Sequence, residues 1–188
     1  MKSTPTSRQA LRAQLLAQRE SFMVSSAAAD AAVSLARHLG AVLVDLEPEL
    51  LGLYWPHRSE FNAAAAVLAD ATLAKLSMSL PFAQRAPVEL HYRAWDRSPP
   101  QAVDDCGIPA SDGPRVVPDV VLVPCVGFTA DGYRLGYGGG YFDRWLAQHP
   151  GVTAVGVAWS GSAIDADALD VQPHDRPLTL VLTERGVV

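Results

Sequence analysis

A chain of 188 residues, 49% hydrophobic and 19% charged, suits one domain with a sizeable buried core. Its net charge of -5 offers no broad attraction for nucleic acid or an anionic membrane, so an anionic ligand has to be met by a local cluster of basic groups. Cys106 and Cys125 stand in no metal-ligand or disulfide spacing, no signal-like apolar core follows the polar N-terminal residues, and no apolar run is long enough to span a bilayer, so a cytoplasmic protein with reduced thiols is expected.

The first helix is expected from a Thr4-Pro5 start to about Phe22. Leu11, Leu15 and Phe22 share one stripe of it, and Arg8, Arg12 and Arg19 a neighbouring one. An Ala-rich second helix is expected over Ser25 to Leu39, and a buried strand from Leu50 to Trp55, stopped by Pro56. A third helix is expected over Glu60 to Ala74 with Ser59 as its cap. Leu76 to Leu80 and Val88 to Trp95 are short strand candidates. Residues 96–118, rich in Pro, Gly, Asp and Ser, read as a surface loop whose length suggests a functional part. Val120 to Val123 is a continuous apolar strand, a helix follows from Tyr141 to Gln148, and Val152 to Ala158 and Leu178 to Leu182 complete the strands. The alternation of helices and strands predicts an α/β domain with a largely parallel sheet.

The chemistry concentrates between Asp131 and Arg144. The order is strand, turn at Asp131-Gly132, Arg134, Gly136, then Gly138-Gly139-Gly140 opening a helix. Glycines let the backbone approach a ligand, because no Cβ intervenes. The helix start adds unpaired N–H groups and a partial positive charge, which together suit a phosphate. Arg134 offers a rigid fork of donors for phosphate oxygens, and Asp143, in the first helical turn, is placed to hold a phosphate-bridging magnesium ion. The spacing is neither Walker A nor GxGxxG, and a glycine run alone also reads as a flexible turn.

This stretch resembles the signature of the 5-formyltetrahydrofolate cyclo-ligases, or methenyltetrahydrofolate synthetases. It stands here as Leu122-Val-Pro124, Phe128, Gly132 and Arg134 to Asp143, with Phe142 for a second tyrosine. Further similarity lies in Arg8-x-x-Leu11-Arg12, in Tyr54-x-Pro56 with Glu60, and in Pro173-His-Asp175 followed by Thr183-Glu184. The chain departs from the family pattern at Arg8, where lysine is usual, at Thr129, in residues 107–113 and in Ser160-Gly-Ser-Ala.

The resemblance implies a single-domain, three-layer Rossmann-like fold over residues 1–188, monomeric or weakly dimeric, and a magnesium- and ATP-dependent ring closure on a reduced folate. It implies that Arg8, Arg12, Arg134, Gly136, Gly138, Gly139, Gly140, Tyr141 and Phe142 hold ATP. It implies that Trp55, Glu60, Tyr137 and Tyr141 contact the folate, that Arg134 and Tyr141 serve catalysis, and that Asp143 and Asp175 hold magnesium. The residues alone leave other readings open. Arg8 and Arg12 fit a solvated helix face, Trp55 the core, Glu60 a helix-start acid and Asp175 a turn cap before Pro177. Two rival functions are an ATP-dependent ligase or kinase for another small amide or heterocycle, and a non-catalytic nucleotide- or folate-binding regulator.

Overall fold

The computed structural model describes residues 7–188. Its frame is an eight-stranded mixed sheet in the order β12-β11-β10-β7-β1-β2-β3-β6. These strands are β1 (Leu50–Gly52), β2 (Ser77–Arg85), β3 (Val88–Trp95), β6 (Arg115–Val116), β7 (Val120–Pro124), β10 (Thr153–Val157), β11 (Leu180–Thr183) and β12 (Gly186–Val187). The five strands β2-β1-β7-β10-β11 run parallel, and β3, β6 and β12 pair antiparallel at the edges. Two small ribbons lie outside it: β4 (Ala102–Val103) with β5 (Pro109–Ala110), and β8 (Gly127–Phe128) with β9 (Arg134–Leu135).

Strand alternation sorts the core into layers. Val120 and Leu122 of β7 pack toward Leu35, Leu39 and Leu43 of α2 (Ala28–Leu46) and toward α3 (Ala63–Ala69). Val121 and Val123 face the other way, onto Trp145 and Leu146 of α4 (Tyr141–Gln148). Leu11, Leu15 and Leu16 of α1 (Arg8–Met23) bury against Val126, Leu135 and Leu169, the last from the short α5 (Ala166–Leu169). The expected three-layer α/β architecture is therefore present. Among the described residues, no single helix is long and apolar enough to cross a membrane.

Several expected boundaries move. The Thr4-Pro5 start lies outside the described residues, and α1 is capped by Ser7, whose Oγ accepts the Ala10 N–H at 3.2 Å. The second helix runs seven residues past Leu39, because Gly40 has room in the helix and Leu43 is fully buried one turn on; it stops where Glu47 turns left-handed (φ 46°). The third helix starts at Ala63 under an Asn62 cap, not at Glu60 under Ser59. Pro56 and the left-handed Arg58 (φ 56°) keep 56–61 irregular. It also ends early, because the Asp70 carboxylate accepts the Thr72 and Leu73 N–H groups and starts a separate 3₁₀ turn.

Residues 96–118 are a built structure rather than a plain loop. Beyond Ser79 the edge of β2 is not covered by β1, and the segment fills it: Asp105 N–H donates to Ala83 O at 3.0 Å, and the Asp105 carboxylate accepts Arg85 N–H at 2.8 Å. Asp104 is 8% exposed, and its carboxylate accepts three backbone N–H groups, of Ala83, Cys106 and Ile108.

Candidate active site

The parallel strands reverse direction of travel between β1 and β7: the chain goes from β1 to β2 on one side, and from β7 to β10 and β11 on the other. In open α/β sheets the crevice beyond the C-terminal strand ends at such a point is the natural ligand site, because the connections leave in opposite directions. Here that crevice is a cavity of about 490 Å³. Tyr54 and Trp55, just past β1, and Pro124, at the end of β7, line it.

Each residue expected at the site lines this one cavity: Arg8, Arg12, Trp55, Glu60, Arg134, Gly136, Tyr137, Gly138, Gly139, Gly140, Tyr141, Phe142, Asp143 and Asp175. Their local construction explains how. The β8–β9 ribbon delivers Arg134, and the glycine run then turns the chain into α4. Gly138 (φ 99°) and Gly140 (φ 62°), the N-cap of α4, occupy left-handed conformations that glycine adopts without cost. Gly136 answers a different need: a Cβ there would stand 2.6 Å from Arg134 Nη1.

The three arginines reach the cavity by different anchors. Arg12 Nε donates to Gly136 O at 2.6 Å, which ties α1 to the glycine loop and leaves its terminal nitrogens next to Gly138. Arg134, 6% exposed, donates Nη2 to Asp143 at 2.9 Å and lies over the Phe142 ring, while its buried Nε has no partner. Arg8 grips Asp175 with both terminal nitrogens, at 2.7 and 3.3 Å. Burial alone would raise the Asp175 pKa, but the Arg8 hydrogen bonds, the Gln172 N–H and the Arg8 charge outweigh it and hold the carboxyl below its usual range. Asp175 is thus a turn cap as well as a cavity carboxylate.

The other wall is aromatic and partly apolar. Trp55 is half-buried, packs edge-on to Trp95 with centroids 6.0 Å apart, and borders the core as well as the cavity. Pro81, Ala83, Leu90 and Ile108 add apolar surface. Glu60 is no helix-start acid: it sits in the turn before α3 and accepts the His57 N–H at 2.8 Å. Burial pushes its pKa up, against the His57 N–H, the Tyr137 hydroxyl and the Arg19 charge. Burial and the Glu60 charge push the Tyr137 phenol up to about 12.

Some cavity residues were not anticipated. Asp104, Cys106 and Ile108 come from segment 96–118, and the Cys106 thiol contacts the Tyr141 hydroxyl at 3.7 Å, closing the wall between that segment and α4. Only the segment's length hinted at this. His57 stacks edge-on to Tyr137 at 5.4 Å, and His174 lines the cavity beside Asp175. Among the described residues no three His, Cys, Asp or Glu side chains cluster as a ready-made metal site. Two carboxylates, Asp143 and Asp175, nevertheless face the cavity, and a magnesium ion held mainly by phosphate oxygens needs only one or two.

The sequence matches the model of the 5-formyltetrahydrofolate cyclo-ligase family over residues 4–184. It is 41% identical over 71 residues to a 5-formyltetrahydrofolate cyclo-ligase of Mycolicibacterium smegmatis, covering 37% of this chain and 36% of that one. It is 47% identical over 57 residues to that of Mycoplasma pneumoniae, covering 29% and 35%. The chain thus spans about a third of the length of these curated relatives in the matched stretches. A solved 5,10-methenyltetrahydrofolate synthetase from Mycoplasma pneumoniae has the same fold, with a TM-score of 0.75 at 23% identity over 95% of this chain and 99% of that one. The Aquifex aeolicus 5,10-methenyltetrahydrofolate synthetase gives 0.71 at 28% identity, covering 97% and 92%.

Proposed function

The chain belongs to the 5-formyltetrahydrofolate cyclo-ligase family, and from that premise we propose that it converts 5-formyltetrahydrofolate to 5,10-methenyltetrahydrofolate at the expense of ATP. The observation that carries the reading is the switch-point cavity, in which a glycine loop and three arginines adjoin an aromatic wall bearing the Glu60 carboxylate. Its volume of about 490 Å³ falls in the range of small-molecule sites.

In the proposed reaction the formyl oxygen attacks the γ-phosphorus of ATP, and ADP leaves. Folate N10 then adds to the activated formyl carbon, loses its proton, and the carbon–oxygen bond breaks to release inorganic phosphate. Such a phosphoryl transfer asks the protein for alignment and charge neutralisation rather than for covalent help. Arg8, Arg12 and Arg134 supply the positive charge, and Gly138 to Gly140 let backbone N–H groups come close to the phosphates. Asp143 and Asp175 would hold magnesium, which when bound spreads and neutralises phosphate charge. Trp55 and Tyr137 flank the flat pterin, Glu60 accepts its N–H donors, and Tyr141 stands between the loop and segment 96–118, where it orients the reacting groups.

The test is to mix the protein with magnesium-ATP and 5-formyltetrahydrofolate and follow the absorbance of the methenyl product. Product formation that needs both substrates and scales with enzyme is expected. No product at high enzyme concentration rejects the reading and leaves a different amide or heterocycle as the substrate.

A further inference from the structure

Arg144 is exposed and forms no part of the cavity wall, yet it takes up both carbonyl groups that precede α4. Its backbone N–H donates to Gly140 O at 3.2 Å, which closes the first helical turn, and its Nη2 reaches back to donate to Gly139 O. The guanidinium carbon stands 5.7 Å from the centre of the Tyr141 ring. Gly139 lies tight against that same ring, since a Cβ there would stand 2.7 Å from Tyr141 Cδ2. A guanidinium, a carbonyl and an aromatic ring thus meet at the side of the loop that faces away from the cavity.

The C=O and N–H of one trans peptide unit point in opposite directions. The Gly139 carbonyl is turned toward Arg144, so the Gly140 N–H of the same unit is turned the other way. Both glycines line the cavity, and among the described residues the Gly140 N–H makes no hydrogen bond within the protein. This orientation needs a hold. Glycine flanks the unit on both sides, Gly140 sits at φ 62°, and glycine accepts either sign of φ, so turning the unit over would cost little. Turned over, it would aim a carbonyl oxygen at the cavity, and that oxygen repels phosphate. Resting on the reading that the glycine loop receives the phosphates of ATP, we propose that Arg144 is a positioning residue of the loop: by holding the Gly139 carbonyl outside, it keeps the Gly140 N–H turned into the cavity, toward the nucleotide. A guanidinium suits this task because its hydrogen bond to the carbonyl is charge-assisted. Arg144 therefore works differently from Arg8, Arg12 and Arg134, which line the cavity themselves.

The experiment reads the peptide unit directly in the ligand-free protein, from the residual dipolar coupling of the Gly140 N–H in ¹⁵N-labelled wild type, Arg144→Met and Arg144→Ala. In wild type the coupling fits an N–H turned into the cavity. In both variants it departs from that value, while the couplings of the sheet stay in place. Calorimetry with magnesium-ATP then shows binding about tenfold weaker in Arg144→Met, and Arg144→Lys, which returns a charged donor to the carbonyl, recovers most of the loss. An unmoved Gly140 coupling in Arg144→Met and Arg144→Ala overturns the proposal even where nucleotide binding falls, because Arg144 would then act by its charge alone. A moved coupling with unchanged affinity for magnesium-ATP overturns it as well. A wild-type protein that binds no magnesium-ATP rejects the nucleotide reading and the proposal with it, a result distinct from equal binding in wild type and variants. A wild-type protein that binds it and forms no methenyl product rejects the folate reading alone, and the coupling and the affinities still decide the role of Arg144.

Discussion

Replacing Gly136 with alanine tests whether the placement of Arg134, rather than its mere presence, governs the reaction. The new Cβ would stand 2.6 Å from Arg134 Nη1, and restoring an ordinary contact of 3.4 Å moves the guanidinium by about 0.8 Å. Arg134 has little freedom to swing aside, being 6% exposed and held by Asp143 at 2.9 Å. A positioned group displaced by about 1 Å costs up to about a hundredfold in rate. The expected fall in kcat/KM is therefore roughly tenfold to a hundredfold, or about 1.4 to 2.7 kcal/mol of transition-state stabilisation. Stability should fall by less, because part of the cost of displacing Arg134 is offset. Gly136 has no left-handed φ, so alanine meets no backbone strain, and it removes chain entropy from the unfolded state worth about 0.4–1 kcal/mol. Methenyl-product kinetics at varied ATP, with thermal melts on the same samples, separate the two effects. Wild-type kcat/KM in Gly136→Ala, with Arg134→Met inactive, would refute the reasoning: the charge would matter and its exact seat would not.

Three other perturbations probe the rest of the cavity. Because Arg8 and Gln172 hold the folded-state Asp175 pKa below its unfolded value, the carboxylate contributes stability above that unfolded value, and this contribution is lost as pH falls through the folded one. Wild type should therefore exceed Asp175→Asn by about 2 kcal/mol in melts at pH 7, the pair being partly solvated on the Arg8 side, and the gap should close on acidification; a gap constant with pH contradicts the linkage. Asp104→Ala leaves three backbone N–H groups without their acceptor, at about 1–3 kcal/mol each where they stay dry, so residues 96–118 should become more sensitive to protease and the KM for folate should rise. Asp143→Ala should abolish the dependence of turnover on magnesium concentration along with most of the turnover itself, and an unchanged magnesium titration would remove Asp143 from the metal site.

How much of this was legible in the chain depended on how far apart the cooperating residues lie. The glycine loop and the start of the helix it opens form one contiguous run, Arg134 to Asp143, so order alone revealed it. The strands of the parallel sheet announced themselves as apolar runs, since both faces of β7 are buried. The boundaries of α2 and α3 were hidden for opposite reasons. Gly40 looks like a stop, yet the burial of Leu43 carries the helix on; the alanines up to Ala74 look like a continuation, yet the Asp70 side chain takes the backbone N–H groups for itself. Asp104 could not be recognised as the organiser of segment 96–118, because its partner Ala83 lies 21 residues away in β2. Arg19 stood on the same helical stripe as Arg8 and Arg12, but its partners Ser59 and Tyr137 are 40 and 118 residues distant, and only the fold tells it apart from its neighbours.

The two ion pairs of the cavity answer a problem that the composition posed. An acidic chain gathers Arg8, Arg12 and Arg134 at one site, where their mutual repulsion would be severe without compensation. Asp175 and Asp143 provide it, each bonded to one arginine, so the site is close to neutral before any ligand arrives. On the proposed reading, ATP carrying a divalent cation would bring both charges at once: its phosphates suit the arginines and its cation suits the carboxylates. The exchange leaves no group unpaired, whereas a bare phosphate would take the arginines and strand Asp143 and Asp175. The Arg8–Asp175 pair also joins distant parts of the chain, since Arg8 lies on the first helix and Asp175 lies 167 residues later. The arginine cluster is therefore complete only once the whole sheet has folded between them, and on the proposed reading this ties nucleotide binding to global stability: ATP with magnesium should raise the thermal midpoint of the protein and lose that effect in Arg8→Met.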